Sequence, residues 1–162
     1  MEEKDEEITL APLCGAARRQ ITALAVREGQ EGFIESPAAC LADAEKNAYG
    51  ISWNIDGIYA AGRLVGFAMH GRQTWGPFSQ VWLDRFLIDG RSQGKGYGRK
   101  ALELLIPRLS GSYRCKRLFL SVHEENLGAI KLYRSLGFRK TPFRDGHGER
   151  IMVRRERGAG RG

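Results

Sequence analysis

The sequence predicts a single α/β domain built around a mixed sheet. Its 162 residues are enough for one hydrophobic core and too few for two comfortable domains. Segments with strand patterns alternate with segments with helical patterns, an order that is typical of α/β proteins. Hydrophobic residues make up 42% of the chain and charged residues 28%, and no apolar run approaches the length of a membrane helix. We therefore expect one layered domain and no membrane partner.

The first third of the chain predicts one strand followed by two helices. The strand is expected at 8–13, and the first helix at 16–26, where apolar residues recur at helical spacing. The second helix is expected at 37–47. Ser36 can cap it, and Pro37 occupies the first helical position, where a missing N–H costs nothing.

The middle of the chain predicts three strands. Two of them, at 51–60 and 64–69, are joined by a tight turn in which Gly62 supplies a positive φ. An irregular loop is expected at 71–79. The strongest strand of the chain follows at 81–88.

The last third predicts alternating helices and strands. The expected elements are a glycine-rich loop at 89–96, a helix at 97–106, a strand at 118–122, a helix at 126–136, and strands at 138–141 and 151–153. Pro107 is expected to end the first of these helices, and Gly137 to cap the second in a left-handed conformation. The ends, 1–7 and 155–162, are expected to be disordered, which leaves a domain at 8–154.

Charge and cysteine content reduce the range of functions and partners that the sequence allows. The net charge is +7, but much of it lies at 150–161 among glycines, where a solvated tail is the ordinary interpretation. No aromatic ladder or helix-turn-helix pattern accompanies it, so we expect no nucleic-acid partner. The acidic N-terminus has no apolar run behind it, which predicts no secretory signal and a cytoplasmic location. The three cysteines and three histidines are scattered, so neither a disulfide framework nor a metal site is expected.

The glycine-rich loop is the most informative segment. It reads Gln93, Gly94, Lys95, Gly96, Tyr97, Gly98 and Arg99. Glycines at every second position let the backbone approach a ligand, and the first N–H groups of the following helix attract an anion, so a pyrophosphate suits the loop. A P-loop is excluded because Gly96 stands where its Ser or Thr belongs. A Rossmann fingerprint is excluded because only Tyr97 separates the last two glycines.

Two motifs in the right order resemble the GNAT acetyltransferases. The pattern Q-x-x-G-x-G, at Gln93, Gly96 and Gly98, resembles their acetyl-CoA loop, and residues 126–138 are similar to their N-x-x-A-x-x-L-Y-x-x-x-G-F helix. The W-L-D-R-F segment at 82–86 resembles the bacterial spermine/spermidine acetyltransferase branch. The resemblance implies the GNAT fold, with a mostly antiparallel mixed sheet of six to seven strands and about four helices. It also implies transfer of acetyl from acetyl-CoA to a primary amine, such as that of spermidine or spermine.

The resemblance also implies roles for particular residues. The cofactor site would be Phe86, Leu87, Ile88, the loop from Gln93 to Arg99 and Asn126. In the family, the strand at 86–88 splays from the next one and pairs with the pantetheine arm, so the amide of Phe86 or Leu87 would hold the thioester carbonyl. Tyr133 would protonate the departing thiolate, and Asn126 would hydrogen-bond the pantetheine.

The acceptor side of the predicted site is less defined. Asp84 lies two residues before Phe86, so strand alternation places both on one side, near the reacting carbonyl. Asp84 would then accept a proton or bind the cationic amine, but a salt bridge with Arg85 or another basic residue explains it equally well. Glu35 is a weaker candidate for binding the amine.

Several alternatives stay open on the sequence alone. The acceptor is a polyamine, another small amine such as an amino acid or aminoglycoside, or a protein lysine or N-terminus. A CoA-binding module without catalysis is disfavoured by Tyr133 and the intact loop. A homodimer is compatible with the resemblance.

Overall fold

The computed structural model describes residues 5–157, and these form one seven-stranded sheet with helices against it. The elements are β1 (Ile8–Leu13), a 3₁₀ helix (Gly15–Ala23), α1 (Pro37–Glu45), β2 (Asn54–Ala60), β3 (Arg63–Trp75), β4 (Phe78–Ile88), α2 (Tyr97–Tyr113), β5 (Arg117–Val122), α3 (Leu127–Ser135), β6 (Arg139–Arg144) and β7 (Arg150–Arg155). Two further 3₁₀ turns lie at Ala48–Gly50 and Gly90–Ser92.

The strand order across the sheet is β1-β2-β3-β4-β5-β7-β6. All neighbouring pairs are antiparallel except β4 and β5, which run parallel. This confirms the predicted mixed, mostly antiparallel sheet in a single domain. The parallel pair is in register only at Val81 with Leu118 and at Trp82 with Phe119, and beyond these residues the two strands are no longer paired.

Side chains from both faces of the sheet are buried under helices. On one face, Leu102 and Leu105 of α2 and Ile130 of α3 share a core with Leu120 and Met152 of the sheet. On the other face, the first 3₁₀ helix and α1 cover a second core; its residues include Ile21, Cys40, Phe67, Met69 and Leu87. The first of these cores also contains Val81 and Leu83 and so fixes α2 and α3 relative to β4, and these three elements line the site described below.

The predicted helix at 16–26 is wrong in type and length, because a 3₁₀ helix spans Gly15–Ala23 instead. Leu24 already has an extended backbone, with φ −88° and ψ 150°. The N–H of Ala25 donates to the Asp89 side chain, and its carbonyl accepts from the Gly90 N–H. Since these backbone groups bond to a distant loop, they are not available to continue a helix.

The predicted irregular loop at 71–79 is also wrong, because β3 and β4 form a long hairpin through it, down to the pair Trp75 and Phe78. Gly71 lies within β3, and the residue there is a glycine because its neighbours leave no room for a side chain. A Cβ there would lie 2.5 Å from Ile51 Cγ2. In this strand the glycine marks a close approach rather than a break.

Pro107 does not end α2, which continues for six more residues to Tyr113. Proline removes one intrahelical hydrogen bond. The later turns are held by burial of Leu109 and by the Tyr113 hydroxyl, which lies 2.7 Å from His70 Nδ1 and accepts from Asn54 Nδ2 at 2.9 Å. These tertiary contacts therefore outweigh the tendency of Pro107 to end the helix.

Parts of the two predicted disordered ends fall within the described residues. The Glu6 carboxylate accepts a hydrogen bond from the Tyr97 hydroxyl at 2.5 Å, and Arg155 is the last residue of β7. Residues 1–4 and 158–162 lie outside the described residues. Between residues 5 and 157, no helix has the length and apolar character needed to cross a membrane.

Candidate active site

A cavity opens where β4 and β5 separate. After Trp82 and Phe119 the two strands lose their pairing, and the space between them is lined by the second half of β4, the end of β5 and the N-terminal turns of α2 and α3. Its volume is about 970 Å³. A gap of this kind leaves one edge of β4 without a neighbouring strand, so an extended ligand can take that place.

Hydrogen-bond alternation decides which β4 amides face this gap. The Asp89 N–H donates to the Val65 carbonyl at 2.7 Å, continuing the β3–β4 ladder. In an antiparallel ladder the N–H groups point alternately to the two sides. The Leu87 N–H therefore points towards β3, and those of Phe86 and Ile88 point into the gap. Of the two amides predicted for the thioester carbonyl, the geometry favours that of Phe86.

The glycine-rich loop follows β4 and leads into α2. Gly94 and Gly96 have φ values of 81° and 78°, which only glycine adopts without strain, and Gly96 is the residue immediately before the helix. No protein atom lies within 4 Å of the position of a Cβ on either residue, so this side of the loop is open to a ligand. The first N–H groups of α2 point out of the helix end beside it.

Three hydrogen bonds hold this loop in place. The Gln93 side-chain nitrogen donates to the Ile88 carbonyl and to Gln30 Oε1, both at 2.9 Å. The buried Asp89 carboxylate accepts from the Ala25 N–H at 3.0 Å. The Gln93 amide therefore stabilises the loop rather than pointing freely into the cavity.

Helix α3 supplies the next two predicted residues. Asn126 is its N-cap, and Asn126 Oδ1 accepts from the Ala129 N–H at 3.3 Å. Its side-chain NH₂ group is therefore the part available to a ligand. Tyr133 lies two turns further along, half-buried, with its ring against Phe138 at a centroid distance of 5.8 Å. Burial, with a smaller contribution from the charge of Glu149, raises the pKa of Tyr133 to about 12, so the hydroxyl is protonated at neutral pH.

Arg85, in the cavity lining, contacts three carboxylates. Arg85 Nη2 lies 3.0 Å from Glu35 Oε2 and 3.2 Å from Asp43 Oδ2, and the guanidinium also contacts Asp84. Burial opposes the charged form of Arg85, but hydrogen bonding to Glu35 and the neighbouring negative charges raise its pKa above the usual value. Three carboxylates around one guanidinium leave a negative surplus around Arg85.

Asp84 is an extra residue in β4, and this overturns the alternation argument. Met69 lies opposite Arg85 while His70 lies opposite Leu83, so a bulge at Asp84 interrupts the ladder. Trp82 consequently packs on one core and Phe86 on the other, although both would share a face in a regular strand. The sequence missed the bulge, and the ion pair with Arg85 accounts for the position of Asp84.

A second acidic group, which the sequence analysis missed, lies at the turn between β6 and β7. Asp145 and Glu149 both line the cavity there, with His147 between them. The His147 ring nitrogen Nε2 lies 2.9 Å from the hydroxyl of Tyr49, across the cavity mouth. No motif marks these residues, and the only sequence signal is a polar turn, Asp145 to Gly148, ahead of an apolar strand.

The cavity brings together nearly all of the predicted site residues. Those that line it are Glu35, Asp84, Phe86, Leu87, Ile88, Gln93, Gly94, Gly96, Tyr97, Gly98, Arg99, Asn126 and Tyr133. Lys95 does not line it, and its ammonium group lies 5.8 Å from the centroid of the Tyr97 ring. The Tyr97 hydroxyl bonds to Glu6, and Arg99 Nη2 donates to Ser135 Oγ at 2.7 Å.

Comparison with known proteins identifies the family. The Acetyltransferase (GNAT) family profile matches residues 18–138. The chain is 43% identical over 141 residues to the spermine/spermidine N(1)-acetyltransferase of Bacillus subtilis, covering 85% of this chain and 91% of that protein.

Solved structures share the fold at lower identity. The PaiA N-acetyltransferase of Thermoplasma acidophilum, in complex with coenzyme A, superimposes with a TM-score of 0.65 at 19% identity, covering 93% of this chain and 99% of that one. A GNAT family acetyltransferase of Elizabethkingia anophelis, with acetyl-CoA bound, gives 0.66 at 16% identity, with coverage of 92% and 98%. The chain therefore belongs to the GNAT family and is an N-acetyltransferase whose acetyl donor is acetyl-CoA.

Proposed function

We propose that this protein acetylates a primary amine of a polyamine such as spermidine or spermine. The observation that carries the proposal is the charge of the cavity lining, which includes five carboxylates and only two guanidinium groups. One of those two, Arg99, belongs to the glycine-rich loop at the donor end. The end bounded by Glu35, Asp84 and Glu149 is therefore negative, as a polycation requires. The similarity to the Bacillus subtilis spermine/spermidine N(1)-acetyltransferase supports the same acceptor.

On this proposal, the donor lies along the open edge of β4. The loop from Gly94 to Arg99 and the start of α2 would hold the pyrophosphate, and the amide of Asn126 would bond to the pantetheine arm. The N–H of Phe86 or Ile88 would donate to the thioester carbonyl and stabilise its oxygen as negative charge develops. These residues fit the donor because they offer open glycine backbone and N–H groups that the ladder alternation directs away from β3.

Tyr133 is proposed as the proton donor to the leaving thiolate. Its hydroxyl is neutral at physiological pH because burial raises its pKa to about 12. A neutral hydroxyl in a half-buried position can hydrogen-bond to a thiolate as it forms and then pass its proton to the sulfur. The proposed acceptor carboxylates, Glu35 and Asp84, line the same cavity, so the amine would reach the thioester from within it.

The test is acetyl-CoA turnover across a panel of amines, followed by thiol release. The panel contains spermidine, spermine, single amino acids, an aminoglycoside, and peptides with a free N-terminus or lysine. We expect the highest kcat/KM for the polyamines, and we expect it to fall with ionic strength because salt screens the attraction.

Asp84→Asn adds a charge test, with Glu45→Gln as a matched control on the exposed end of α1. Asp84→Asn should lower kcat/KM for spermidine by about tenfold, equal to ~1.4 kcal/mol, while acetyl-CoA binds as before. Glu45→Gln should change neither. Inactivity towards polyamines, alongside good turnover of an anionic or peptide amine, would reject the acceptor and leave the acetyltransferase assignment standing.

A further inference from the structure

The Glu149 carboxylate differs from the other acidic groups of the cavity. Glu35 and Asp84 are both paired with Arg85. Within residues 5–157, the Glu149 carboxylate neither accepts a hydrogen bond nor lies in an ion pair, although the residue is only partly exposed and lines the cavity. A half-buried carboxylate without a cation partner costs free energy, and a cationic ligand would supply that partner.

The backbone around Glu149 is rigidly held. Asp145 Oδ1 accepts from the N–H groups of both His147 and Glu149 at 2.9 Å, and the Asp145 N–H donates to the Glu149 carbonyl at 2.9 Å. A further bond of 3.0 Å joins the Gly148 N–H to the Asp145 carbonyl. The turn therefore presents the Glu149 side chain from a fixed position immediately before β7, as a reacting group requires.

Glu149 also lines the same cavity as Tyr133. Its charge acts on Tyr133, whose pKa it helps to raise, so the two groups are electrostatic neighbours although 16 positions apart in sequence. Asp84 is less suited to accept a proton, because its Oδ2 atom is buried and its charge is compensated by Arg85.

We propose that Glu149 is the general base that deprotonates the acceptor ammonium group. This rests on the proposed function only in requiring an amine acceptor. The ammonium N–H bond breaks, and its proton moves to a Glu149 oxygen, directly or through one water. The freed nitrogen lone pair forms the C–N bond with the thioester carbon, and the C–S bond electrons leave on sulfur. The thiolate takes the Tyr133 proton, and the phenolate regains one from the acylated nitrogen. The Glu149 proton then passes to solvent, so one proton is released per turnover.

Several charged groups face Glu149 and set its titration. Burial is the main cause of its raised pKa, and Asp145 on the same turn raises it further. Arg85 of β4, His123 after β5 and His147 on the turn lower it by a smaller amount. A base with a raised pKa is better matched to neutral pH. Below that pKa the carboxyl is protonated and cannot accept a proton, so the rate should fall towards acid.

The test is the pH profile of kcat/KM for Glu149→Gln, with the best acceptor from the amine panel and with Glu45→Gln as control. The wild type should lose activity at acid pH with an inflection above the usual glutamate range. Glu149→Gln should lower kcat/KM at pH 7 by about 10²–10³ and lose that inflection. Its rate should then rise steadily with pH, since only the neutral amine reacts, and acetyl-CoA affinity should stay within about twofold.

A second variant separates a chemical role from misfolding. Glu149→Ala should be inactive at neutral pH, and added formate should restore part of kcat by supplying a carboxylate. An unchanged acid inflection in Glu149→Gln would overturn the proposal, as would a rise in KM alone. It would also be overturned if His123→Gln, and not Glu149→Gln, removed the inflection. The pH profiles can be measured with any amine that the enzyme accepts. A negative result for Glu149 is therefore distinct from a negative result for the polyamine proposal.

Discussion

Two glycines with the same backbone conformation allow the loop assignment to be tested without ambiguity. Gly96 precedes α2 in the cavity, and Gly62 forms the turn between β2 and β3 outside it, and both have a φ of 78°. No atom lies within 4 Å of a Cβ built on either residue, so alanine meets no steric clash at either position. Alanine in a left-handed conformation costs about 1–2 kcal/mol. Both variants should therefore lose similar stability.

The two variants should differ only in binding. For a domain of this size, about 1 kcal/mol lowers Tm by roughly 2–4 °C, which differential scanning fluorimetry resolves. If the loop holds the pyrophosphate as proposed, Gly96→Ala also places a methyl group in its path. We expect its Kd for coenzyme A to rise at least tenfold, or ~1.4 kcal/mol, by calorimetry. Gly62→Ala should keep the wild-type Kd.

Two results would refute this reasoning. Gly96→Ala that binds coenzyme A with undiminished affinity would show that the pyrophosphate does not contact this loop. Gly62→Ala that weakens binding equally would show that the loss comes from reduced stability rather than from the site.

Two further predictions concern Tyr133, the proposed general acid, and Glu124, which pairs with two arginines of the β6–β7 hairpin. Tyr133→Phe should lower kcat by roughly 10²–10⁴ while coenzyme A affinity stays constant in calorimetry, and activity within about twofold of wild type would return Tyr133 to a packing role. Hydrogen bonds from Arg150 and Arg144 lower the pKa of Glu124 to about 2. A lowered pKa stabilises the fold above the unfolded value, near 4.3, and this contribution disappears as pH falls towards 2. Glu124→Gln should therefore lower Tm at pH 7, and the difference from wild type should shrink at pH 2–3. An equal difference in Tm at both pH values would show that the lowered pKa of Glu124 does not contribute to the stability of the fold.

The parts of the site that the sequence predicted are those encoded over short distances. Gly94, Gly96 and Gly98 reveal a loop because glycine alone tolerates its backbone or permits close approach. Asn126 and Tyr133 are placed on one face by the periodicity of a single helix, two turns apart. Each signal is contained within a dozen residues, so no knowledge of the tertiary contacts is needed to recognise it.

The parts that the sequence missed depend on contacts between distant segments. The bulge at Asp84 shifts the faces of β4, and it is set by the register with β3 rather than by any local pattern. The early end of the first helix depends on hydrogen bonds from Ala25 to Asp89 and Gly90. Glu149 lines the cavity because β7, which follows it directly, pairs with β5, and a glutamate just before an ordinary strand gives no hint of this.

The short parallel pairing between β4 and β5 leaves a seam in the sheet. Only two residues of each strand are in register, so the halves β1–β4 and β5–β7 are joined there mainly by side-chain packing rather than by a continuous ladder. On the proposed donor site, a pantetheine arm in the gap would act as an eighth strand that closes the seam. A ligand at a hundred times its Kd adds about 2.7 kcal/mol, a substantial part of the 5–15 kcal/mol that holds a domain folded. The lifetime of this protein in a cell should therefore follow the supply of acetyl-CoA, so that the enzyme persists longest when its donor is plentiful.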